Sequence, residues 1–173
     1  RTGWTDEAAS TFGDMDILAY TYDSGNKLLE VADSSANPFG FKDGNTGIDY
    51  TYDDNGNMIT DANKGITGIT YNHLNLPEQV TVSNPEDNGN ISYIYDATGA
   101  KLRKIATEGS SVTTTDYAGS FVYENRVLKQ ISQLQGYIEP DNNNYQYVYQ
   151  LKDIWTNTRL TFADNDKDGK IDI

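Results

Sequence analysis

The sequence of 173 residues has no cysteine, no long apolar run and a single histidine. Disulfides are therefore excluded, and stability has to come from packing, above all of the 13 tyrosines and 5 phenylalanines. No stretch of about 18 apolar residues occurs, so no membrane span is expected, and no signal peptide is apparent. His73 stands between Asn72 and Leu74. We interpret it as part of a turn, because a catalytic triad also needs a nucleophile and an orienting acid.

Basic residues are scarce as well. The 13 lysines and arginines face 26 aspartates and glutamates, which gives a net charge of −13. A surface this negative repels phosphate backbones, so nucleic acid is not expected as a partner. The acidity is compatible with a calcium-rich extracellular setting, and it is equally compatible with a plain contribution to solubility.

A tyrosine-aspartate turn recurs along the chain. Residues 22–28, 52–59 and 95–102 are three copies, and residues 71–75 are a degenerate fourth. Each copy follows residues that alternate apolar and polar, which is the period of a strand. The aspartate is expected to accept hydrogen bonds from the backbone that follows it, and the glycine to supply a positive φ. Asn75 takes the glycine's place in the degenerate copy. The first copy is one residue shorter, so a different turn type is expected there.

The pattern predicts an all-β fold of consecutive antiparallel β-hairpins that form a curling sheet. Hairpins are predicted at 17–33, 48–61, 66–82 and 91–106, and a meander at 112–117, 121–124 and 127–134. Further strands are predicted at 145–151 and 159–162. Residues 34–47 and 84–90 are expected to be loops and 140–144 a turn, while residues 1–16 show no clear period.

These copies fit the pattern Y-D-x-x-G-N-x-L with small departures, and in series they resemble the YD-repeat or RHS-repeat family of large secreted β-sheet proteins. The stretch from Phe121 to Leu160 resembles the start of the RHS repeat-associated core. Asp153 and Arg159 match the family's D-H-L-G-x-x-R element, whereas residues 154–156 read Ile-Trp-Thr and lack its glycine. On this resemblance, residues 1–111 are YD/RHS repeats, and residues 112–173 begin the core within a much longer polypeptide.

The resemblance implies a strip of a spiralling β-shell that encloses or displays a C-terminal toxin or effector domain. It implies a secreted or bacterial cell-surface protein whose partners are the rest of its own chain and the enclosed domain. The family's self-cleaving aspartyl motif does not occur in these residues. Two alternatives stay open. One is a cell-surface adhesin that binds carbohydrate through tyrosines and tryptophans such as Trp4 and Trp155, and the other is an exported segment held by a bacterial secretion machine.

The C-terminal acidic string has the spacing of a calcium loop. Such loops place oxygen ligands at positions 1, 3 and 5, a glycine at 6 and a backbone carbonyl at 7. Gly169 falls at position 6, and position 12 would lie beyond Ile173. The alternative is a solvated acidic turn, and no other cofactor is expected. The candidate ligands are Asp164, Asp166, Asp168, Lys170 and Asp172.

Three other carboxylates follow the repeated tyrosines. Asp23, Asp53 and Asp96 are of the residue type that glycoside hydrolases use in pairs. They recur at equivalent positions of the repeat, however, which favours a turn-capping role. The chain is therefore not expected to be an enzyme.

Overall fold

The computed structural model describes residues 2–6, 11–35, 37–84, 88–141 and 144–165. Within these ranges the chain forms sixteen β-strands and one short 3-10 turn, and it has no α-helix. None of the described residues belongs to a helix of the length and hydrophobicity that a membrane crossing requires. The predicted all-β class is confirmed.

The strands vary in length from three to nine residues. In chain order they are β1 (Thr2–Asp6), β2 (Thr11–Asp14), β3 (Leu18–Tyr22), β4 (Leu28–Asp33), β5 (Tyr50–Tyr52), β6 (Met58–Asp61), β7 (Ile66–Tyr71), β8 (Pro77–Ser83), β9 (Asn88–Tyr95), β10 (Lys101–Glu108), β11 (Ser111–Ala118), β12 (Phe121–Glu124), β13 (Val127–Gln133), β14 (Gly136–Asp141), β15 (Asn144–Lys152) and β16 (Thr158–Ala163). The 3-10 turn, Ala62–Lys64, lies between β6 and β7.

Strands pair with their neighbours in the chain. β5 to β16 form one sheet of 12 strands in sequence order, while β1-β2 and β3-β4 are separate two-stranded ribbons. The pairings of known register are all antiparallel, which is the pattern that short connections allow. The predicted series of consecutive antiparallel hairpins is therefore confirmed.

The chain divides into two compact units. Unit 1, Arg1–Ser92, contains the hairpins β1-β2, β3-β4, β5-β6 and β7-β8 and the first part of β9. Unit 2, Tyr93–Ile173, contains the rest of β9 and the strands β10 to β16.

Three parts of the chain differ from the sequence prediction. β1 and β2 form a hairpin in a region without clear period, and β9 already begins at Asn88, inside the predicted loop 84–90. β14 was not predicted as a strand, and Pro140 lies within it and not in a turn. The ladder between β13 and β14 ends at Ile138, so the missing N–H of Pro140 removes no hydrogen bond from that ladder.

Few apolar side chains are covered. Among the described residues, the buried apolar side chains are Val31, Val148 and Ala163, and the most completely buried side chains are the carboxylates Asp49 and Asp61. A sheet normally buries one apolar face against a second layer. The described residues instead leave much of their aromatic and aliphatic surface exposed to solvent.

Candidate functional site

Five turns share one hydrogen-bonded frame. In the first, the N–H of Asp23 donates to the carbonyl of Lys27 at 2.9 Å, and the N–H of Asn26 donates to the carbonyl of Asp23 at 3.1 Å. The same two bonds close four further turns, at residues 53–57, 72–76, 96–100 and 153–157. The frame therefore spans five residues in every copy, including the turn at residues 153–157.

The first side chain of each turn caps the frame. Asp23 Oδ1 accepts hydrogen bonds from the N–H groups of Gly25 and Lys27, both at 2.8 Å. Asp53, Asp96 and Asp153 each accept from the N–H of the fifth turn residue, as does the amide oxygen of Asn72. The capping role predicted for Asp23, Asp53 and Asp96 is confirmed.

The hydrogen bonds also favour the ionised form of the capping carboxylates. The side chain of Asn57 lowers the pKa of Asp53 below its usual value, and the side chain of Thr98 does the same for Asp96. Burial raises the pKa of Asp153, but donors from Asn157 and other neighbours outweigh it, so the net pKa is lowered. These carboxylates thus accept hydrogen bonds from backbone and side-chain donors that stabilise their charge.

The fourth turn residue has a positive φ in every copy. Gly56 and Gly99 supply it as predicted, with φ of 86° and 87°, and Asn75 supplies it at 57°. In the first copy it is Asn26, at 65°, and not the glycine before it. The prediction of a shorter and different turn at 22–28 is therefore wrong. The frame has the same five residues as in the other copies, and only the position of the glycine within it differs. Thr156, at 67°, takes the glycine's place in the last turn.

Tyrosine hydroxyls tie neighbouring hairpins of unit 1 together. Tyr52 Oη donates to the carbonyl of Leu28 at 2.8 Å, and Tyr71 Oη donates to the carbonyl of Met58 at 2.6 Å. Leu28 and Met58 are equivalent residues, each the first after a turn. Each tyrosine thus reaches the hairpin that precedes its own.

The surroundings of these tyrosines fit that contact. Burial raises the pKa of Tyr52 and Tyr71, and the carboxylates of Asp23 and Asp53 in the preceding turns raise it further. Lys27 Nζ lies 5.4 Å from the centre of the Tyr52 ring. The packing role predicted for the repeat tyrosines is correct at Tyr52 and Tyr71. It is wrong at Tyr22, which is 52% exposed and has no tyrosine-aspartate turn before it in the sequence.

Amide side chains add a second lateral link. Asn55 Nδ2 and Asn57 Nδ2 donate to Asn75 Oδ1 at 3.2 and 2.9 Å, which joins turn 53–57 to turn 72–76. We call the three turns 23–27, 53–57 and 72–76, with their tyrosine and asparagine links, the turn stack.

Buried carboxylates join the hairpins of unit 1 at their other ends. Asp49, 1% exposed, accepts hydrogen bonds from the N–H of Val31 and from Asn45 Nδ2, both at 2.7 Å. Its own N–H donates to the carbonyl of Leu29 at 2.8 Å. Asp49 thereby connects β4 with β5, which belong to different sheets. Nothing in the sequence distinguished this aspartate from the others, since its role depends on partners 18 residues away.

Two further buried aspartates serve backbone donors. Asp61 caps the 3-10 turn and accepts from the N–H of Lys64 at 3.2 Å, and Asp16 accepts from the N–H of Phe41 at 2.5 Å. Each therefore satisfies a backbone donor of a neighbouring segment.

A row of tyrosines stands exposed in unit 2. Tyr145, Tyr147 and Tyr149 of β15 alternate with covered residues and are 60%, 58% and 45% exposed. The ring of Phe162 stacks on Tyr149 with the centroids 5.5 Å apart. We call these three residues the β15 tyrosine row. Nearby in the sequence, Trp155 is 72% exposed at the tip of turn 153–157.

The remaining predicted site residues are only partly described. His73 is an exposed residue of turn 72–76. The carbonyl of Asp164 accepts a hydrogen bond from Gln146 Nε2 at 3.4 Å. Asp166, Asp168, Lys170 and Asp172 lie outside the described residues, so the calcium loop stays a prediction. Within the described residues no group of three or more histidine, cysteine, aspartate or glutamate side chains is arranged to hold a metal.

Comparison with known proteins identifies no family: no protein-family model matches the chain, and a search of curated proteins returns no match.

Proposed function

We propose that this chain is a non-catalytic scaffold segment of a large secreted protein of the RHS/YD-repeat type. Its stacked hairpins would form part of a sheet that encloses or displays another domain of the same polypeptide. The expected partners are the rest of that polypeptide and the enclosed toxin or effector domain.

The turn stack is the observation that carries the proposal. Residue types that serve as catalytic groups elsewhere are used in it to close turns and to join hairpins. Asp23 and Asp53 cap their own turns, and the hydroxyls of Tyr52 and Tyr71 are bound to backbone carbonyls. A unit that repeats with its links intact is typical of an architectural array.

The small core supports the same interpretation. With Val31, Val148 and Ala163 as its buried apolar side chains, the described part of the chain leaves apolar surface that another layer would cover. In a shell, neighbouring repeats and the enclosed domain would supply that layer.

Hydroxyl-radical footprinting tests the proposal. The natural full-length polypeptide and this chain alone are labelled side by side, and the oxidation of each tyrosine is measured by mass spectrometry. A scaffold segment predicts that Tyr145, Tyr147 and Tyr149 are oxidised several-fold less in the full-length protein. Equal labelling in the two samples, or a natural polypeptide no longer than this chain, would contradict the proposal.

The β15 tyrosine row favours one alternative, a carbohydrate-binding adhesin. Exposed aromatic faces can stack on sugar rings, and this row presents three of them on one side of a strand. A glycan array with the wild-type chain and Tyr147→Ala tests it, with Tyr20→Ala in unit 1 as the matched exposed control. The adhesin hypothesis requires a hit that Tyr147→Ala loses and Tyr20→Ala keeps.

Calcium binding at residues 164–172 is proposed for the sequence extended past residue 175, where position 12 of the loop would fall. Isothermal titration with calcium chloride should give a heat signal at or below millimolar concentration, and Asp168→Asn should abolish it. The absence of heat in the unmodified extended fragment would refute a calcium loop.

A further inference from the structure

The turn between β12 and β13 holds an arginine where turn chemistry favours glycine. Asn125 and Arg126 have φ of 50° and 69°, so both residues lie in the left-handed region. Two-residue hairpin loops with this geometry favour Asn-Gly, because glycine has no Cβ to strain the second position. The backbone at Arg126 is therefore strained, and such strain is concentrated at functional positions in proteins.

Asn125 is explained by its local contacts, whereas Arg126 is not. The N–H of Asn125 donates to the carbonyl of Thr114 at 2.8 Å, and Asn125 Oδ1 accepts from the N–H of Thr114 at 2.9 Å. In the described part of the chain, the Arg126 guanidinium makes no hydrogen bond or ion pair. The turn needs the asparagine and gains nothing from the arginine side chain.

The arginine lines a depression that also contains a partly engaged ion pair. The depression has a volume of about 390 Å³ and is lined by Arg103, Thr114, Asp116, Asn125 and Arg126. Arg103 Nε contacts Asp116 Oδ1 at 2.5 Å. No partner is found among the described residues for the two terminal amino groups of Arg103 or for Asp116 Oδ2. Two guanidinium groups and one carboxylate make the depression net positive in a chain whose charge is −13.

We propose that this depression binds a sugar acid, a hydroxyl-bearing ring with one carboxylate. The ligand carboxylate would accept hydrogen bonds from Arg126 and from the terminal amino groups of Arg103, in the planar geometry that guanidinium groups favour. Asp116 Oδ2 would accept from a ring hydroxyl. The carboxylate of Asp116 disfavours a doubly charged phosphate or sulfate by repulsion, and the polar lining suits hydroxyl groups better than an apolar ligand. This site is separate from the scaffold role and does not depend on it.

Nuclear magnetic resonance titration of the complete chain tests the proposal directly. D-glucuronate should shift the backbone amide signals of Thr114, Asp116, Asn125 and Arg126, and the affinity should fall as salt is added. D-glucose lacks the carboxylate and acetate lacks the hydroxyls, so both should bind about tenfold more weakly or worse. No shift with glucuronate, or equal shifts with acetate or sulfate, would overturn the proposal.

A substitution at the turn separates binding from folding. Arg126→Gly removes the guanidinium and relieves the backbone, so the variant should fold at least as stably as the wild type and bind glucuronate at least about tenfold more weakly. Asn26→Gly is the matched control, because it makes the same kind of change at another left-handed position outside the depression. It should leave binding unchanged. Wild-type affinity in Arg126→Gly would refute the site.

Discussion

Units 1 and 2 are built from the same turn but join their strands in different ways. In unit 1 the ladder between hairpins β5-β6 and β7-β8 contains the single pair Asp61↔Ile66, and side chains supply the other links. In unit 2 two of the ladders are long, with six residue pairs between β10 and β11 and six between β14 and β15. The junction between hairpins β5-β6 and β7-β8 in unit 1 thus depends on particular side chains, whereas the pairs β10-β11 and β14-β15 in unit 2 depend on the close approach of their backbones.

This difference implies different sensitivity to substitution. A backbone ladder tolerates many side chains but not a side chain that separates its strands. A side-chain link tolerates changes elsewhere but fails when its own atoms are removed. Five substitutions, from the largest expected effect to the smallest, test this distinction.

Gly136→Ala should be the most damaging, and its effect should be confined to unit 2. A Cβ at Gly136 would lie 2.0 Å from the carbonyl oxygen of Val148, so β14 and β15 cannot keep their present separation. We expect a loss of about 3 kcal/mol or more in the free energy of unfolding, measured by chemical denaturation. Gly68→Ala is the control, since nothing lies within 4 Å of its Cβ position. If the backbone amides of both units exchange hydrogen equally faster in Gly136→Ala than in the wild type, the effect is not confined to unit 2 and the proposed difference between the units is wrong.

Asp49→Ala should be the most damaging substitution at a side-chain link in unit 1. It leaves the N–H of Val31 without its acceptor beside a buried side chain, which costs about 2 to 3 kcal/mol. Asp54→Ala, at an exposed turn position, should change stability by about 0.5 kcal/mol or less. Thermal and chemical unfolding of the two variants check this. Equal stability of the two variants would show that the Asp49 side chain does not stabilise the contact between β4 and β5.

Tyr52→Phe and Tyr71→Phe should each lower the free energy of unfolding, measured by chemical denaturation, by about 1 kcal/mol. Each substitution removes one hydrogen bond between a tyrosine hydroxyl and the neighbouring hairpin. Tyr20→Phe, at a tyrosine that is 53% exposed, is the control.

The raised pKa values of Tyr52 and Tyr71 also predict a loss of stability at alkaline pH. Their pKa is raised in the folded state, so their contribution is fully present below about pH 10 and is lost as the pH rises through the raised values. The double variant Tyr52→Phe/Tyr71→Phe should lose less stability than the wild type above pH 10. An identical pH profile for the two proteins would count against the hydroxyl bonds.

Thr156→Gly should have the smallest effect, and it should stabilise unit 2. A β-branched residue at φ of 67° is strained, and glycine relieves that strain at some cost in unfolded-chain entropy. We expect a net gain of about 0.5 kcal/mol, seen as a higher midpoint of thermal unfolding. Asn26→Gly should gain less, because asparagine tolerates this geometry. A loss of stability in Thr156→Gly would show that its side chain makes a contact that outweighs the strain.

The local features of this fold could be predicted from the sequence better than the contacts that join its hairpins. The alternating strands and the capping role of Asp53 could be predicted because their partners lie within a few residues. The frame at Asp23 was misassigned because the glycine was taken as the left-handed residue, although Asn26 adopts that conformation. β14 was missed because Gly136 and Pro140 resemble turn residues when the partner strand is unknown.

The candidate site was harder to predict for a related reason. Asp49 acts on a backbone N–H that is 18 residues distant, and the depression around Arg126 combines residues from β10, from β11 and from the turn between β12 and β13. Neither the Asp49 contact nor the depression can be recognised from residues that are close together in the sequence. What the sequence does indicate, the recurrence of the turn, concerns architecture and leaves these long-range contacts unspecified.

The five-residue turn frame leaves its second and third side chains facing solvent, and this gives the chain room to diversify. The frame is closed by backbone atoms and by the first side chain. Among the tip side chains, Asn55 also bonds to Asn75 and Thr98 also bonds to Asp96, and the other tip residues can change without changing the frame. These remaining tip positions could therefore vary on a constant framework, as the grafting sites of an engineered display protein do. The pairs now present are Ser24-Gly25, Asp54-Asn55, His73-Leu74, Ala97-Thr98 and Ile154-Trp155.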